Sequence, residues 1–220
     1  MSIDAATTDP DELLEVFEMT SAGIARPTGI AKTRAAIHHD GDWHLAFFCW
    51  IVRKSDEGDD IEVVLQKRAP HKDVWPGRFD ASAAGHVRFG ESTAEASREI
   101  EEELGLHVEA SALEPLARHH QEHVHENGIV DREIHDLHLL RWDAPLASYR
   151  PGPEVTALTA VPVDAIVELV AGERASITTM LVRAGAADER IELRRDDLVP
   201  YDVGYWERLA QSGRASMARR

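Results

Sequence analysis

Glutamates recur at helical spacing in one short stretch of this 220-residue chain. The set consists of Glu95, Glu99, Glu102 and Glu103. A helix would gather these carboxylates on one side, with Arg98 at its edge. Like charges three or four residues apart repel by roughly 0.2–0.5 kcal/mol per pair, and Mg²⁺ or Mn²⁺ would convert that repulsion into coordination. The spacing therefore indicates a carboxylate metal site or, taken alone, a solvated acidic helix face.

The residues around the glutamates predict where this helix begins and ends. Ser92 followed by Glu95 is the pattern of a capping box, which predicts a helix start near Thr93. Gly105 is expected just beyond the C-terminus. The apolar positions at the helical period, which would face the core, are Ala96, Ile100 and Leu104.

A glycine loop precedes the helix, and the two together form a longer pattern. It runs Gly85-His86-Val87-Arg88-Phe89-Gly90-Glu91 and continues as Arg98-Glu99-Ile100-Glu101-Glu102-Glu103-Leu104-Gly105-Leu106. The pattern resembles the Nudix box of the Nudix hydrolases. One departure is that six residues separate Glu91 from Arg98, where the usual family pattern has seven. The difference falls at the junction of loop and helix and affects the role of Glu91.

The resemblance implies a set of roles for the residues of the box. Glu99, Glu102 and Glu103 would hold Mg²⁺ or Mn²⁺, and Arg98 would orient the carboxylates. Water would attack a phosphoanhydride, and a box glutamate or Glu154 would take its proton. The catalytic set is accordingly Glu102, Glu103, Arg98 and Glu154.

The fold expected from the resemblance is a Nudix-type α/β/α sandwich with a mixed sheet, over residues 12–172. Residues 1–11 form a loose N-terminus in this prediction, and residues 173–220 a C-terminal extension packed on the same domain. The apolar runs independently indicate a sheet covered on both faces. Strands are predicted at 43–52, 61–66, 79–87, 113–124, 132–142 and 155–161, with a hairpin within 13–32. Helices are predicted at 163–170, 177–182 and 205–219.

The composition of the chain limits which binding partners and which cellular compartment are expected. The net charge of −16 argues against a general nucleic-acid or anionic-membrane binder, but not against a small phosphorylated substrate. The single cysteine, Cys49, excludes an intramolecular disulfide and favours a reducing compartment. No apolar run reaches the ~18 residues of a membrane span, and no signal peptide is evident. We expect a cytoplasmic protein, and a homodimer is compatible with the sequence.

The segment from about residue 38 to 160 is also similar to type 1 isopentenyl-diphosphate isomerase, a Nudix-fold enzyme that is not a hydrolase. The matching segments are Trp43-His44-Leu45-Ala46-Phe47, Lys67-Arg68-Ala69, Lys72, Trp75-Pro76-Gly77, Gly85-His86, Gly90-Glu91-Ser92 and Gly128-Ile129-Val130. This resemblance implies a second metal site that contains His44, His86 and Glu133. Its remaining candidates are Asp131, as a neighbouring acid, and one histidine from His38 or His39.

Imidazole with carboxylate suits Mn²⁺, Fe²⁺ or Zn²⁺, and the alternative is a hydrogen-bonded polar cluster. Arg68 and Lys72 match the diphosphate-binding pair of the isomerase, and Lys67 beside them completes the basic group expected to bind substrate phosphate.

Two departures separate the chain from the isomerase. Ala84 stands where that enzyme has its proton-donating cysteine, and the full Arg-Glu-x-x-Glu-Glu triplet is kept here. Both favour a metal-dependent hydrolase that cleaves a diphosphate linkage in a nucleoside diphosphate derivative or a similar small organic diphosphate. An isomerase-like enzyme and a non-catalytic nucleotide sensor are the alternatives.

Overall fold

The computed structural model describes residues 11–56, 58 and 60–219. The segment expected to be a loose N-terminus therefore lies, except for its last residue, outside the described residues. The strands are β1 (Leu13–Met19), β2 (Ala25–Thr33), β3 (His44–Lys54), β4 (Ile61–Arg68), β5 (Phe79–Asp80), β6 (Ala83–His86), β7 (Glu114–Val124), β8 (Val130–Arg141), β9 (Val155–Pro162), β10 (Ile177–Leu181) and β11 (Glu189–Leu193). The α-helices are α1 (Arg34–Asp40), α2 (Arg98–Leu104), α3 (Val163–Ala171) and α4 (Val203–Ala218).

A mixed seven-stranded sheet forms the centre of the fold. Its main order is β5-β4-β3-β8-β7, with β6 also paired to β3 and β9 to β4. Strands β3 and β8 run parallel, whereas the other pairs in this sheet are antiparallel. Strand β3 is buried almost throughout because it lies in the middle of a sheet covered on both faces.

Different helices cover the two faces of the sheet. On one face, α2 packs through Ile100 and Leu104, and Ala96 of the 3₁₀ turn before α2 packs beside them; all three are fully buried. On the other face, α3 and α4 pack against the sheet, and Trp50 of β3 donates a 2.8 Å hydrogen bond to the hydroxyl of Tyr205 in α4. The predicted α/β/α sandwich with a mixed sheet is confirmed. Helix α4, from the C-terminal extension, thus packs on the same sheet as the rest of the chain.

Three local predictions need correction. The strand predicted at 79–87 is divided into β5, which pairs with β4, and β6, which pairs with β3. Residues 177–181 form a strand, not a helix, and pair antiparallel with β11. Their side chains alternate between more buried and exposed positions, with Ile177 and Leu181 buried, which is the period of a strand. The helix expected to start near Thr93 begins as a 3₁₀ turn at Glu95–Ser97, and the α-helix starts at Arg98. The predicted capping box is present, with the Ser92 amide donating to the Glu95 carboxylate at 2.8 Å.

The end of α2 is as predicted, since Gly105 caps it in a left-handed conformation with φ of 66°. No helix in the described part of the chain is long and apolar enough to cross a membrane.

Candidate active site

A cavity of about 280 Å³ lies at one end of the sheet. Its walls come from α2, strand β6, the loop that follows β4, the start of β8 and two residues of the C-terminal extension. The acidic residues of the cavity are Glu12, Asp80, Glu99, Glu102, Glu103, Asp131, Glu133 and Glu154, and its basic ones include Arg34, Arg68 and Lys72. Acidic and basic side chains thus face a common space.

Glu99 and Glu103 are the buried carboxylates of α2, and strand β6 positions both. A Cβ atom at Gly85 would lie 2.2 Å from Cδ of Glu99, so only glycine lets this carboxylate approach the strand. Glu103 accepts hydrogen bonds on one oxygen from the Ala84 amide at 2.8 Å and from Gln66 at 3.0 Å. Sequence spacing had grouped Glu95 with these residues, but its exposed side chain caps the helix through Ser92.

Arg98 contacts three carboxylates of the acidic wall, the side of the cavity formed by α2 and the loop before it. Its guanidinium makes a two-pronged contact with Glu91, Nε to Oε1 at 2.8 Å and Nη2 to Oε2 at 3.2 Å. Nη1 contacts Glu99 and also reaches Glu102 at 3.2 Å. Glu91 therefore meets Arg98 despite the shorter junction, where the chain makes the 3₁₀ turn. The side chain of Glu102 is 53% exposed, the most open of the three predicted metal-binding glutamates.

Burial is the main cause that raises the pKa of Glu103 to about 8. Lys72 and Arg68 oppose this effect, whereas the charge of Glu99 adds to it. Burial also raises the pKa of Glu99, although Arg98 opposes it. Burial therefore disfavours the ionised form of both carboxyl groups, and a cation bound beside them would favour it.

The loop before β9 brings Glu154 to the cavity. The amides of Arg150 and Gly152 donate to the last carbonyls of α2, on Leu104 at 2.9 Å and on Glu103 at 3.0 Å. The Glu154 carboxylate forms a 2.5 Å ion pair with the ammonium of Lys72, which lies on the loop after β4. The predicted base and a predicted phosphate ligand are thus neighbours.

Of the three basic residues predicted to bind substrate, Arg68 and Lys72 line the cavity and Lys67 does not. The Lys67 ammonium lies 5.3 Å from the ring centroid of Phe79, a cation–π contact that holds it elsewhere. Lys67 therefore does not line the described cavity, and its contact with substrate stays a prediction. Arg68 is buried and pairs with Asp80 at 2.9 Å, and Tyr201 donates to the same carboxylate at 2.6 Å.

Three histidines meet near strand β6, where His38 and His86 line the cavity and His44 lies fully buried beside them. The ring centroids of His38 and His44 are 5.1 Å apart, those of His44 and His86 also 5.1 Å, and those of His38 and His86 5.6 Å. His39 is 88% exposed and points away, so of the two candidates His38 is the one beside the cluster. The Asp42 carbonyl contacts Nδ1 of His44 at 3.2 Å, which leaves Nε2 directed at the cluster.

Two carboxylates of β8 complete this group. Glu133 Oε1 lies 3.5 Å from His86 Nε2 and 3.9 Å from His44 Nε2, and Asp131 Oδ1 lies 3.9 Å from Nε2 of both His38 and His44. The three 3.9 Å separations are too long for hydrogen bonds.

The buried atoms His38 Nε2, His44 Nε2 and Asp131 Oδ1 have no hydrogen-bond partner in the described structure. Buried polar atoms are rarely left so, and these atoms fit donors arranged around a cation. Within the described residues, sets of three potential ligands within 4.8 Å of one another occur in two overlapping groups, and both lie here. Their members are His38, His44 and His86, and His44, Asp131 and Glu133.

Several cavity residues carry no functional signal in the sequence. Glu12 lies before β1 and contacts His86 Nδ1 at 3.3 Å and Arg88 at 3.0 Å. Burial opposes ionisation of Glu12, but hydrogen bonds from His86 and Arg88 outweigh it and lower the pKa to about 2. His135 contacts Glu133 at 2.8 Å, and Tyr201 comes from the extension without motifs. The alternation of polar residues along β8 was the one local signal that placed His135 on the side of Glu133.

Comparison with known proteins agrees with the class of protein that this sheet, glycine loop and acidic helix define. A model of the NUDIX domain matches residues 42–181. An uncharacterized Nudix hydrolase of Clostridium acetobutylicum is 30% identical over 203 residues, covering 90% of this chain and 94% of that protein. The chain belongs to the Nudix family and is an enzyme of its hydrolase class.

Two further comparisons are partial. An isopentenyl-diphosphate Delta-isomerase of Salmonella heidelberg is 34% identical over 111 residues, which span 50% of this chain and 58% of the isomerase. A crystal structure of a Deinococcus radiodurans protein is 20% identical and has a TM-score of 0.51, covering 73% of this chain and 90% of that one. The structural likeness supports the fold, and the isomerase likeness is confined to part of each sequence.

Proposed function

We propose that this enzyme hydrolyses a diphosphate linkage in a nucleoside diphosphate derivative or a similar small organic diphosphate, with Mg²⁺ or Mn²⁺. The observation that carries the proposal is one cavity in which Glu99, Glu102 and Glu103 lie together with Arg68 and Lys72. Carboxylates suit hard divalent cations, and the basic pair suits phosphate oxygens.

Each residue of the acidic wall has a distinct task in this proposal. Bound metal would polarise the phosphoanhydride and acidify a water molecule. Glu99 and Glu103 are buried and held in place, which suits metal ligands, whereas the exposed Glu102 would be open to water as well as to a metal. Arg98 keeps Glu99 and Glu102 oriented through its hydrogen bonds. Glu102, Glu103 or Glu154 would take the proton from the attacking water.

Lys72 links substrate binding to the availability of a base. Its ammonium pairs with Glu154 at 2.5 Å in the structure. A phosphate group that bound Lys72 would compete for this ammonium, and the Glu154 carboxylate would then be released to accept a proton. This coupling would favour proton transfer only after substrate has entered the cavity.

The cluster of histidines and carboxylates beside the cavity is proposed as a second metal centre. His38, His44 and His86 supply imidazole nitrogens, and Asp131 and Glu133 supply carboxylate oxygens. A mixed nitrogen and oxygen set suits Mn²⁺, Fe²⁺ or Zn²⁺. Support comes from the buried atoms without partners and from the convergence of the side chains. Its place beside the same cavity would bring a second cation to the substrate.

Isomerisation of an alkenyl diphosphate is the second candidate, because the partial likeness to the Salmonella enzyme favours it. That reaction needs proton transfer at two faces of the alkene. Ala84 lines the cavity but has no proton to give. Cys49 is fully buried and packs in the core on the α2 side, with Phe47 and Ile100. The chain therefore has no cysteine at the position where the isomerase would need one.

A panel of diphosphates tests both candidates. Purified protein would be incubated with nucleoside diphosphate derivatives and isopentenyl diphosphate, with Mg²⁺ or Mn²⁺, and the products separated by chromatography. We expect phosphate-containing hydrolysis products from at least one compound and no dimethylallyl diphosphate. Rapid formation of dimethylallyl diphosphate would overturn the proposal in favour of an isomerase, and complete inertness across the panel would favour a nucleotide sensor.

A further inference from the structure

Glu12, which precedes β1, contacts His86 of the proposed second metal centre at the ring nitrogen that faces away from the other candidate ligands. Glu12 Oε2 lies 3.3 Å from Nδ1 of His86, while Nε2 of the same ring faces Glu133 at 3.5 Å. The imidazole therefore has one nitrogen toward Glu12 and the other toward the cluster. The side chain of Glu12 is 16% exposed, so this contact is largely shielded from solvent.

The backbone around Glu12 is fixed by three neighbouring contacts. The Glu12 carbonyl accepts a 2.7 Å hydrogen bond from the amide of Arg34, where α1 begins. The Leu13 carbonyl accepts from the Phe89 amide at 2.7 Å, and Leu14 forms an isolated bridge with Arg88. The second carboxylate oxygen of Glu12 accepts from Arg88 at 3.0 Å. Glu12 is thus held against the glycine loop by both its main chain and its side chain.

We propose that Glu12 is a positioning residue that fixes the ring orientation and tautomer of His86, so that Nε2 is presented to a transition metal. The inference rests on the second metal centre proposed above. A carboxylate that accepts from the distal N–H of a metal-binding histidine fixes the tautomer and increases the basicity of the ligand nitrogen. Removal of such a partner typically costs about 10–100-fold in metal affinity. Glu12 would act through His86 and would not touch metal or substrate.

Metal binding by substituted proteins tests this role. Zn²⁺ affinity would be measured by competition with a chromophoric chelator for wild type, Glu12→Gln, Glu12→Ala and the control Glu18→Gln. Glu18 is an exposed residue of β1. If the titration shows more than one Zn²⁺-binding step, the step that is lost in His44→Asn is assigned to the histidine centre. We expect the Zn²⁺ dissociation constant of that step to rise at least about tenfold in Glu12→Ala, less in Glu12→Gln, and not at all in the control.

The tautomer is a second readout that needs no variant. In Zn²⁺-loaded wild type, long-range ¹H–¹⁵N correlation should show the His86 proton on Nδ1. A proton on Nε2, or wild-type affinity in folded Glu12→Ala, would overturn the role of Glu12 while leaving the metal centre in place. Equal Zn²⁺ binding by wild type and His44→Asn would instead overturn the metal centre itself, and the role of Glu12 with it.

Discussion

At the scale of single residues, Glu103 shows how the site differs from a surface acidic helix. Spacing predicted that it would share a face with Glu99, but spacing could not show that both are buried behind strand β6. The Ala84 amide and Gln66 both donate to one oxygen of Glu103. A neutral amide in place of the carboxylate would keep that acceptor and remove the cost of a buried charge.

We therefore predict that Glu103→Gln stabilises the metal-free protein. The folded-state pKa of Glu103 is about 8, above its ordinary value of 4.5, so the folded state retains a proton that the unfolded state loses as pH rises. Wild-type stability should fall between pH 4.5 and 8, and the variant should escape that loss. Melting in the presence of a chelator should show a difference growing from pH 5 to 8, by roughly 2–4 °C or more. A constant difference across this range would contradict the ionisation argument.

The substitution that stabilises the metal-free protein should lower its catalytic rate. Glu102→Gln and Glu103→Gln should each lower kcat at saturating Mg²⁺ at least about 100-fold, because each removes a negatively charged ligand or base. The matched control is Glu101→Gln, an exposed residue of the same helix. Initial rates on the best diphosphate of the panel would measure the effect. Wild-type rates in either variant would remove that residue from the essential set.

At the scale of elements, the sequence predicted α2 well and its surroundings less well. Its apolar stripe and its glycine C-cap follow from local chemistry, as does the capping box. The strand at Ile177–Leu181 depends on pairing with β11 and on contact with β9, which the pattern of residues 177–181 alone does not show. The 3₁₀ start at Glu95–Ser97 likewise has no signal in the local sequence. A short apolar run fits a helix or a strand equally well until its neighbours are known.

The contact between the loop before β9 and α2 gives an element-scale prediction. A Cβ atom at Gly152 would lie 2.2 Å from the backbone oxygen of Glu102, so Gly152→Ala should push the loop that carries Glu154 away from the helix. We expect the free energy of unfolding to fall by about 1–3 kcal/mol, measured by denaturant titration. Gly58→Ala is the control, since its Cβ would meet nothing within 4 Å. Equal stability of the two variants would show that the loop yields without strain.

At the scale of the whole molecule, the active site is assembled from segments that are remote in sequence. The histidine centre combines residues near 40, 86 and 132, and only the resemblance to the isomerase connected them in advance. Glu12 and Tyr201 lie beyond that resemblance, in segments where local patterns carry no functional signal. Their contribution follows from β1 crossing the glycine loop and from the C-terminal extension reaching the cavity.

Substitution of Tyr201 tests whether the C-terminal extension contributes to substrate binding. Its hydroxyl donates to Asp80 at 2.6 Å, and Asp80 holds Arg68 at 2.9 Å. Without that hydroxyl, the Asp80 carboxylate would lose a partner and Arg68 would lose its orientation toward a phosphate. We predict that Tyr201→Phe raises KM for the diphosphate about tenfold, or 1.4 kcal/mol, with a smaller change in kcat.

Tyr205→Phe is the matched control for this effect. It is another buried tyrosine of the extension, and its hydroxyl accepts from Trp50 and not from a cavity residue. Tyr205→Phe should lower the melting temperature and leave KM unchanged. The same change of KM in both variants would mean that the extension supports stability alone.

The central claim, hydrolysis of a diphosphate by water at phosphorus, is tested most directly by oxygen labelling. The reaction would be run in H₂¹⁸O with Mg²⁺ or Mn²⁺ on the best diphosphate of the panel, and the products analysed by mass spectrometry. The account predicts one ¹⁸O atom in a phosphate-containing product, at a rate that falls with Glu102→Gln. Label only in the organic alcohol, or an isomerised diphosphate without label, would contradict it.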